Sequence, residues 1–364
     1  MNLYFKAINT KGHFTAKVCE NVFCGKLFLP LSHMKPKATL KNISDLLQIS
    51  ISTVSRALKD HPDIAEQTKV KVRELAEILD YEPNAFAIYL RTNASKLIGL
   101  IVPEISNFFY HSFIAAVEED ARLKGYSLMI LQSANNTETE SANLKLCKLN
   151  RVAGIMVALS TGTSDFSAFR RVEESGIPLV FFDKVPEDQG FMKVCVDDAI
   201  AGAMAAEAII HKKRKRVLAI FGNPTLSITR KRLHTFSAAF KKLAPETKIS
   251  IVHAGNSEDA LNLTLSALKK KDRPDTVFCM SDEILTGSIK AIQQLKLSIP
   301  ANISLIAISN GFIPSLFNPE ITYVETSGAA LGKKAFESML NILLHEAAPT
   351  EVIIPARLVA GGSL

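Results

Sequence analysis

Residues 45–60 read DLLQISISTVSRALKD, a stretch that concentrates hydroxyl groups between two apolar runs with helical spacing. Three serines and a threonine fall within six residues, and an arginine follows them directly. Ser50 stands where the N-cap of a second helix belongs, because its hydroxyl can accept a hydrogen bond from the first turn. Two helices joined by the tripeptide Gln-Ile-Ser are typical of a helix-turn-helix.

The second helix of this motif has two contrasting faces. Val54, Ala57 and Leu58 recur at the spacing of an inward face, and the opposite face is polar. That polar face carries Ser52, Ser55, Arg56 and Lys59. Hydroxyls and backbone N–H groups at a helix start contact phosphates, and arginine contacts guanine, so this face suits DNA. The alternative is an ordinary polar helix start in a small bundle, since such caps are common.

The rest of residues 38–83 predicts two further short helices and no strand. The first carries Ile43, Leu46 and Leu47 on one face, and an apolar stripe runs along the third. This stripe consists of Thr68, Val72, Leu75, Ala76 and Leu79. Eight cations and eight anions in residues 37–93 leave the segment without net charge. Affinity for DNA would therefore come from clustering and from dimerisation rather than from overall basicity.

From Leu97 onward, short β-branched runs alternate with amphipathic stretches. Continuous apolar strands that alternate with helices predict parallel sheets covered on both faces. About ten such runs precede the last predicted helix, which is too many for one small sheet. The sequence therefore predicts an α/β core of two doubly wound lobes, in which a ligand binds outside the carboxyl ends of the strands.

The composition indicates an intracellular protein with more than one domain. The 364 residues are 47% hydrophobic and carry a formal charge of +7, which suits either an anionic partner or a well-solvated surface. The cysteines are odd in number and scattered, so we expect no disulfide framework, no metal site and no cofactor. They are Cys19, Cys24, Cys147, Cys195 and Cys279. No signal peptide and no apolar run long enough to cross a bilayer is evident, so we expect a cytoplasmic protein without membrane contact.

The first 33 residues mix lysine, phenylalanine, glycine and cysteine without a helical or strand period. We interpret them as a non-native or mis-assigned leader, with Met34 as the real start. The alternative is a disordered arm.

The run STVSRAL at residues 52–58, with YEPNA at 81–85 and LIGLIVPEISNFF at 97–109, resembles the LacI/GalR family of bacterial transcription regulators. The resemblance extends from about residue 38 to the C-terminus and is strongest around the helix-turn-helix. It implies a DNA-binding headpiece, a hinge and a core similar to periplasmic sugar-binding proteins.

The resemblance implies the following division of the chain. A leader occupies residues 1–37, the helix-turn-helix headpiece 38–83, the hinge helix and linker 84–95, and the effector-binding and dimerisation core 96–364. Within the core, the N-lobe is expected at about residues 96–195 and 323–342, and the C-lobe at about residues 196–322 and 343–364.

The resemblance also assigns DNA contacts to the headpiece and the hinge. Ile51, Ser52 and Arg56 would contact bases. Leu90 would wedge between base pairs in the minor groove beside Ala87, unless it is an ordinary core leucine of a short linker helix. The other expected DNA contacts are Thr39, Ser50, Thr53, Ser55, Lys59 and Asn84.

In the core, the resemblance assigns ligand contacts. Phe109 and Tyr110 correspond to aromatic stacking positions, unless they are core residues of a surface helix. Arg232 corresponds to an arginine that binds ligand hydroxyls or carboxylates, with Arg230 and Lys231 as rivals and a solvated helix face as the alternative. The further candidates are Asp183, Asp197, Ser281, Asp282, Ser309 and Asn310. Ser281-Asp282 stands where the family often has Asn-Asp, and Ser309-Asn310 where many members have Asp-Asp. The second departure removes a carboxylate that commonly binds sugar hydroxyls, so a sugar or related metabolite is expected, and a charged or phosphorylated ligand stays open.

These features predict a repressor whose affinity for a pseudo-palindromic double-stranded operator is controlled by a small-molecule effector. It would act as a homodimer, with pairing into a tetramer left open, and would be nucleoid-associated when bound to DNA. The alternative is a solute-binding receptor without DNA function. An enzyme is not expected, because the sequence has no dinucleotide fingerprint, Walker loop, nucleophile elbow or metal-spaced cluster.

Overall fold

The computed structural model describes residues 38–81, 95–187, 190–347 and 349–364. They belong to two compact units, a small helical one at the amino-terminal side and a larger α/β one. The expected leader and the expected hinge contacts Asn84, Ala87 and Leu90 lie outside the described residues.

Within residues 38–81, the helical unit contains three helices, as predicted. They are α1 (Leu40–Leu47), α2 (Ile51–Leu58) and α3 (Glu66–Ile78). Gln48 adopts the left-handed conformation with φ of 52°, which ends α1 and turns the chain into α2. The buried core of this unit consists of Ile43, Val54, Ala57, Val72 and Ala76.

One inward assignment in the helical unit was wrong. Leu46 was expected to face the core, but 62% of its surface is exposed. Ile43 and Leu47, four residues apart, already occupy the side of α1 that packs against the other helices.

The described residues of the α/β unit alternate strands and helices, with ten strands before the last helix. The strands are β1 (Leu97–Val102), β2 (Ser127–Gln132), β3 (Gly154–Val157), β4 (Leu179–Phe182), β5 (Met192–Val196), β6 (Arg216–Phe221), β7 (Lys248–His253), β8 (Thr276–Cys279), β9 (Ser304–Ser309), β10 (Thr322–Glu325), β11 (Glu351–Ile354) and β12 (Arg357–Val359). The helices are α4 (Phe108–Leu123), α5 (Thr137–Leu149), α6 (Ser167–Glu174), α7 (Asp198–His211), α8 (Ser227–Leu243), α9 (Ser257–Leu268), α10 (Asp282–Gln294), α11 (Phe312–Ser315) and α12 (Gly328–Leu343).

The strands form two six-stranded sheets, one in each lobe. The order in the first is β11-β5-β4-β3-β1-β2, and in the second β12-β10-β9-β8-β6-β7. All neighbours are parallel except β10 and β12. The strands β1, β3, β4, β8 and β9 are almost wholly buried, as expected of parallel strands covered on both faces. This is the doubly wound, two-lobed α/β core that the sequence predicted.

The lobe boundaries near the C-terminus differ from the prediction. Residues 323–342 were assigned to the N-lobe. The helix α12 does pack against α4 of that lobe, but β10 pairs with β9 and so belongs to the second sheet. Residues 343–364 were assigned to the C-lobe. The strand β12 does pair with β10 of that lobe, but β11 pairs with β5 in the first sheet. The chain therefore passes between the lobes after β5, after β10 and again between β11 and β12.

The packing of α12 against α4 holds the start of α4 at the end of the first sheet. Gly328 permits this approach, because a Cβ there would lie 2.5 Å from the carbonyl oxygen of Phe109. Phe109 and Tyr110 are thereby placed at the carboxyl ends of the strands. Among the described residues, no helix is both long and apolar enough to span a membrane.

Candidate functional site

The hydroxyl-rich start of α2 is a single hydrogen-bonded cluster. The Ser50 Oγ accepts a hydrogen bond of 3.0 Å from the backbone N–H of Thr53 and so caps the helix. The same oxygen lies 2.7 Å from the Ser52 Oγ and 2.8 Å from the Thr53 Oγ1. The serines and threonine therefore satisfy one another and fix the first turn of α2.

The outward face of α2 is open to solvent. Ile51 is 47% exposed, and Ser52, Arg56 and Lys59 are exposed beside it. Thr53 and Ser55 are half-buried at the margin of this face. One apolar side chain, one hydroxyl and two cations on one helix face can contact thymine methyls, base edges and phosphates.

Thr39 starts α1 in the same way. Its Oγ1 accepts from the backbone N–H of Asn42 at 3.2 Å, and its own N–H donates to the Asn42 Oδ1 at 2.8 Å. This reciprocal capping box leaves Thr39 exposed at a helix N-terminus, where backbone N–H groups favour a phosphate.

A cluster of charges on α3 is neutralised within the headpiece. The Lys69 Nζ lies 3.0 Å from the Asp60 Oδ1, and the Arg73 Nη2 lies 2.7 Å from the same oxygen. The hydrogen bond from Lys69 is the main cause that lowers the pKa of Asp60. Because these cations already have partners, Arg56 of α2 and Lys59 directly after it are better placed to meet an external anion.

In the α/β unit, the carboxyl ends of both sheets enclose a cleft with a volume of about 380 Å³. Seven of the residues expected to bind ligand line it: Phe109, Tyr110, Asp183, Arg232, Ser281, Asp282 and Ser309. Asn310 is not among the lining residues. Its side chain instead accepts a hydrogen bond from the N–H of Phe312. Asp197 is also outside the lining, because its Oδ1 caps α7 through the N–H of Ile200.

Tyr110 and Asp183 form a polar pair at the edge of the cleft. The Tyr110 hydroxyl donates to the Asp183 Oδ2 at 2.6 Å. Burial raises the pKa of Tyr110 well above its ordinary value, and the neighbouring Asp183 charge adds to this. Burial also raises the pKa of Asp183, against the hydrogen bond from Tyr110 that lowers it. Tyr110 is buried, so Phe109 is the aromatic residue with more open surface.

Arg232 lines the cleft and is held in place by hydrogen bonds to the protein. Its Nε and Nη2 each lie 2.8 Å from the Asp198 Oδ1, and its Nη1 donates to the Met280 carbonyl at 2.9 Å. Both side chains are buried, and burial raises the pKa of Asp198 against the opposing charge of Arg232. The Nε, Nη1 and Nη2 atoms of the guanidinium therefore all have acceptors inside the protein.

Asp282 supplies a carboxylate close to Ser309 and Asn310, where many members of the family have a carboxylate and this chain has none. The Ser309 Oγ donates to its Oδ1, and the backbone N–H of Asn310 donates to its Oδ2 at 3.2 Å. Burial raises the pKa of Asp282, and the hydrogen bond from Ser309 opposes this. The departure at Ser309 thus leaves an acceptor near that point of the cleft.

Sequence reasoning missed several charged and polar lining residues. They are Glu104, Asn135, Lys184, Asn223 and Glu283. The Lys184 Nζ donates to the Asn135 Oδ1 at 3.2 Å. Four of the five follow the carboxyl end of a strand within a few residues, and Glu283 lies in the first turn of α10, so the strand-end rule could have found most of them. Asp198 was harder to identify from the sequence, because it directly follows Asp197 and either aspartate could have been the functional one.

Two family descriptions match this chain. "Bacterial regulatory proteins, lacI family" matches residues 39–84. "Periplasmic binding proteins and sugar binding domain of LacI family" matches residues 95–361.

Individual proteins match over most of their length. The HTH-type transcriptional repressor PurR of Vibrio vulnificus (strain CMCP6) is 28% identical, over 84% of this chain and 91% of that protein. The ribose operon repressor of Haemophilus influenzae (strain ATCC 51907 / DSM 11121 / KW20 / Rd) is 29% identical, over the same shares. The crystal structure of the lac repressor dimer bound to operator and the anti-inducer ONPF superposes with a TM-score of 0.81 at 19% identity. That superposition covers 90% of this chain and 99% of the other and shows a shared fold.

Proposed function

Because this chain belongs to the LacI family of bacterial regulatory proteins, we propose that it is a DNA-binding repressor controlled by a small-molecule effector. The observation that carries the proposal is that a helix-turn-helix with an open polar face and a ligand-sized cleft occur in one chain. A solute-binding receptor needs only the second of these. The chain acts by binding rather than by catalysis, as the repressors that it resembles do.

The face of α2 is the proposed contact with base edges. Ile51 offers an apolar surface to thymine methyls, Ser52 a hydroxyl, and Arg56 two parallel donors for guanine. The exposed hydroxyl of Thr39 and the cation of Lys59 support phosphate contacts, which set position without selecting sequence. The family resemblance adds Asn84, Ala87 and Leu90 of the hinge.

The cleft of the core is the proposed effector site, and its charges favour a neutral polyhydroxyl ligand. Glu104, Asp183, Asp282 and Glu283 line it against only Lys184 and Arg232. Arg232 is already paired with Asp198, so a phosphorylated ligand would meet an excess of carboxylates. A sugar is further supported by the sugar-binding family description and by the ribose operon repressor among the relatives.

We also propose that the chain functions as a homodimer in the cytoplasm. The outermost strands of the two sheets carry exposed apolar residues, with Ile130 on β2 39% exposed and Ile251 on β7 42% exposed. Leu146 and Leu149 on α5 are exposed as well. Apolar residues on sheet edges are suited to pairing with a second copy. A two-fold dimer would present two copies of α2, which predicts a pseudo-palindromic operator.

Selection of binding duplexes from random double-stranded DNA tests the proposal. The full chain should enrich a pseudo-palindromic site, and binding should weaken steeply with added salt. A thermal-shift series with D-ribose and other neutral sugars, each compared with its phosphate ester, tests the effector class, because a ligand of the folded core raises its melting temperature. Failure to enrich any sequence would favour the receptor.

A further inference from the structure

Two exposed aromatic rings meet across the two lobes of the core. Phe108 is the first residue of α4, which follows β1 of the first sheet. Phe312 is the first residue of α11, which follows β9 of the second sheet. Their ring centroids are 5.1 Å apart with an interplanar angle of 30°, a stacked geometry. The rings therefore join elements that belong to different lobes.

The local backbone presents each ring at the corresponding strand end. The Asn107 Oδ1 accepts from the N–H of Phe109 at 2.9 Å and so starts α4 at Phe108. The Asn310 Oδ1 accepts from the N–H of Phe312 at 3.0 Å. Gly311 has φ of 93°, and a Cβ there would lie 2.7 Å from the hydroxyl of Tyr323. Only glycine fits this turn, so the position of Phe312 is set by the fold.

The pair stands at the rim of the cleft. Asn107 and Phe109, the neighbours of Phe108, line the cleft from one lobe, and Ser309 lines it from the other. Both rings stay partly open to solvent, Phe108 at 40% and Phe312 at 52%. We propose that Phe108 and Phe312 form an aromatic clasp that holds the two lobes closed over the cleft and must part when a ligand enters or leaves.

The clasp proposal rests on the proposed function in one respect: the ligand of the cleft is taken to be an effector. The contact between the two rings does not depend on that assignment. Its consequence is that the closed state is favoured before any ligand binds. A ligand that prefers the closed state then binds more tightly and leaves more slowly than it would without the clasp.

A second contact between the lobes has a different character. Arg230 of α8 pairs with Glu187 in the loop after β4, and both side chains are largely exposed. An exposed ion pair contributes little and is screened by salt, whereas stacking of two rings is not. At high salt this ion pair should therefore weaken while the clasp does not, so the two tests below are made at high salt.

The chain has no tryptophan, so a single one can report on the clasp. In the full chain, Phe312→Trp keeps a ring at that site, and adding Phe108→Ala should raise its quenching by acrylamide about twofold, because one face loses its cover. The matched control is Leu316→Trp, at an exposed position that ends the same short helix. There Phe108→Ala should change nothing. The reciprocal pair, Phe108→Trp with and without Phe312→Ala, repeats the test if one variant folds poorly.

Hydrogen exchange distinguishes a clasp from a merely local contact. In Phe108→Ala/Phe312→Ala, backbone amides at residues 222–226 and 161–163 should exchange about three to ten times faster, as expected for loss of one aromatic pair. These segments contain cleft-lining residues but carry neither ring. Leu316→Ala should leave them unchanged. Unchanged tryptophan quenching, or increased quenching with unchanged exchange in the double variant, would each overturn the proposal. Neither measurement depends on DNA or on a known effector.

Discussion

At the scale of single residues, several polar groups of the cleft already have partners inside the protein. The Tyr110 hydroxyl donates a hydrogen bond to the Asp183 carboxylate, and the Arg232 guanidinium donates one to the Asp198 carboxylate. These pairs fix the walls of the cleft before a ligand arrives, which reduces the ordering that binding must cause. For each pair, the stability of a variant tests whether the two side chains support the folded core.

Tyr110→Phe should destabilise the core by about 1–2 kcal/mol at neutral pH, because it removes a hydrogen bond to a charged group. The loss should depend on pH. Burial already raises the pKa of Asp183, and removing the hydroxyl raises this pKa further. A carboxyl with a raised folded-state pKa binds more protons when folded, so its contribution to stability falls as the pH rises through that pKa. Urea unfolding should show a larger loss at pH 8 than at pH 5, and an equal loss at both would contradict the pairing.

Arg232→Ala should lower the free energy of unfolding of the core by about 3–5 kcal/mol, because it leaves the Asp198 carboxylate buried without a partner. Arg232→Ala/Asp198→Ala should recover part of that loss, since it removes both members of the pair. Denaturation of the two variants measures this. If the free energy of unfolding of the double variant is lower than that of Arg232→Ala by as much as Asp198→Ala lowers it in the wild type, the two side chains do not act as a pair.

Much of the cleft could be predicted one residue at a time. Asp183 and Ser309 follow or end apolar strands, and polar groups at the carboxyl ends of parallel strands converge. The partners of these residues could not be predicted in the same way. Asp198 directly follows Asp197, and only the geometry of the start of α7 decides that one caps the helix while the other turns inward to Arg232.

At the scale of elements, α3 begins without a side-chain cap. Ala65 is the N-cap with φ of −58° and ψ of 139°, and it makes no side-chain hydrogen bond to the first turn. Ala65→Ser fits this backbone and should stabilise the headpiece by about 0.5–1 kcal/mol. The same residue introduced by Glu74→Ser, inside the helix, should not stabilise it. Thermal unfolding followed in the headpiece compares the two, and no gain from Ala65→Ser would show that α3 does not need the cap.

The limits of sequence-based prediction also lie at this scale. Helical stripes such as Val54 with Ala57 were sufficient to place α1, α2 and α3. Alternating strands and helices were sufficient to predict two doubly wound lobes. The assignment of β11 and β12 to opposite sheets was not predictable, because they are separated by only two residues and differ in long-range pairing rather than in local pattern.

At the scale of the whole molecule, one unit is built to contact DNA and the other to bind a ligand. Effector control requires that the ligand bind differently to the two states of the core, since equal affinity would shift nothing. The clasp formed by Phe108 and Phe312 gives the closed state a defined contact. Operator binding by wild type and by the clasp variant, each titrated with a sugar found in the thermal-shift series, would connect the two units.

The most direct test of the central claim is operator binding by Arg56→Ala. The wild-type site is first obtained by selection from random duplexes, and its affinity is then measured for Arg56→Ala and for Lys71→Ala. The control removes the same charge from an exposed position on α3. Arg56→Ala should weaken specific binding by about ten- to a hundredfold per half-site, with the core unchanged in stability, whereas Lys71→Ala should have a small effect. Equal affinity of the Arg56→Ala variant and the wild type for the selected site would contradict the assignment of α2 as the helix that contacts the bases.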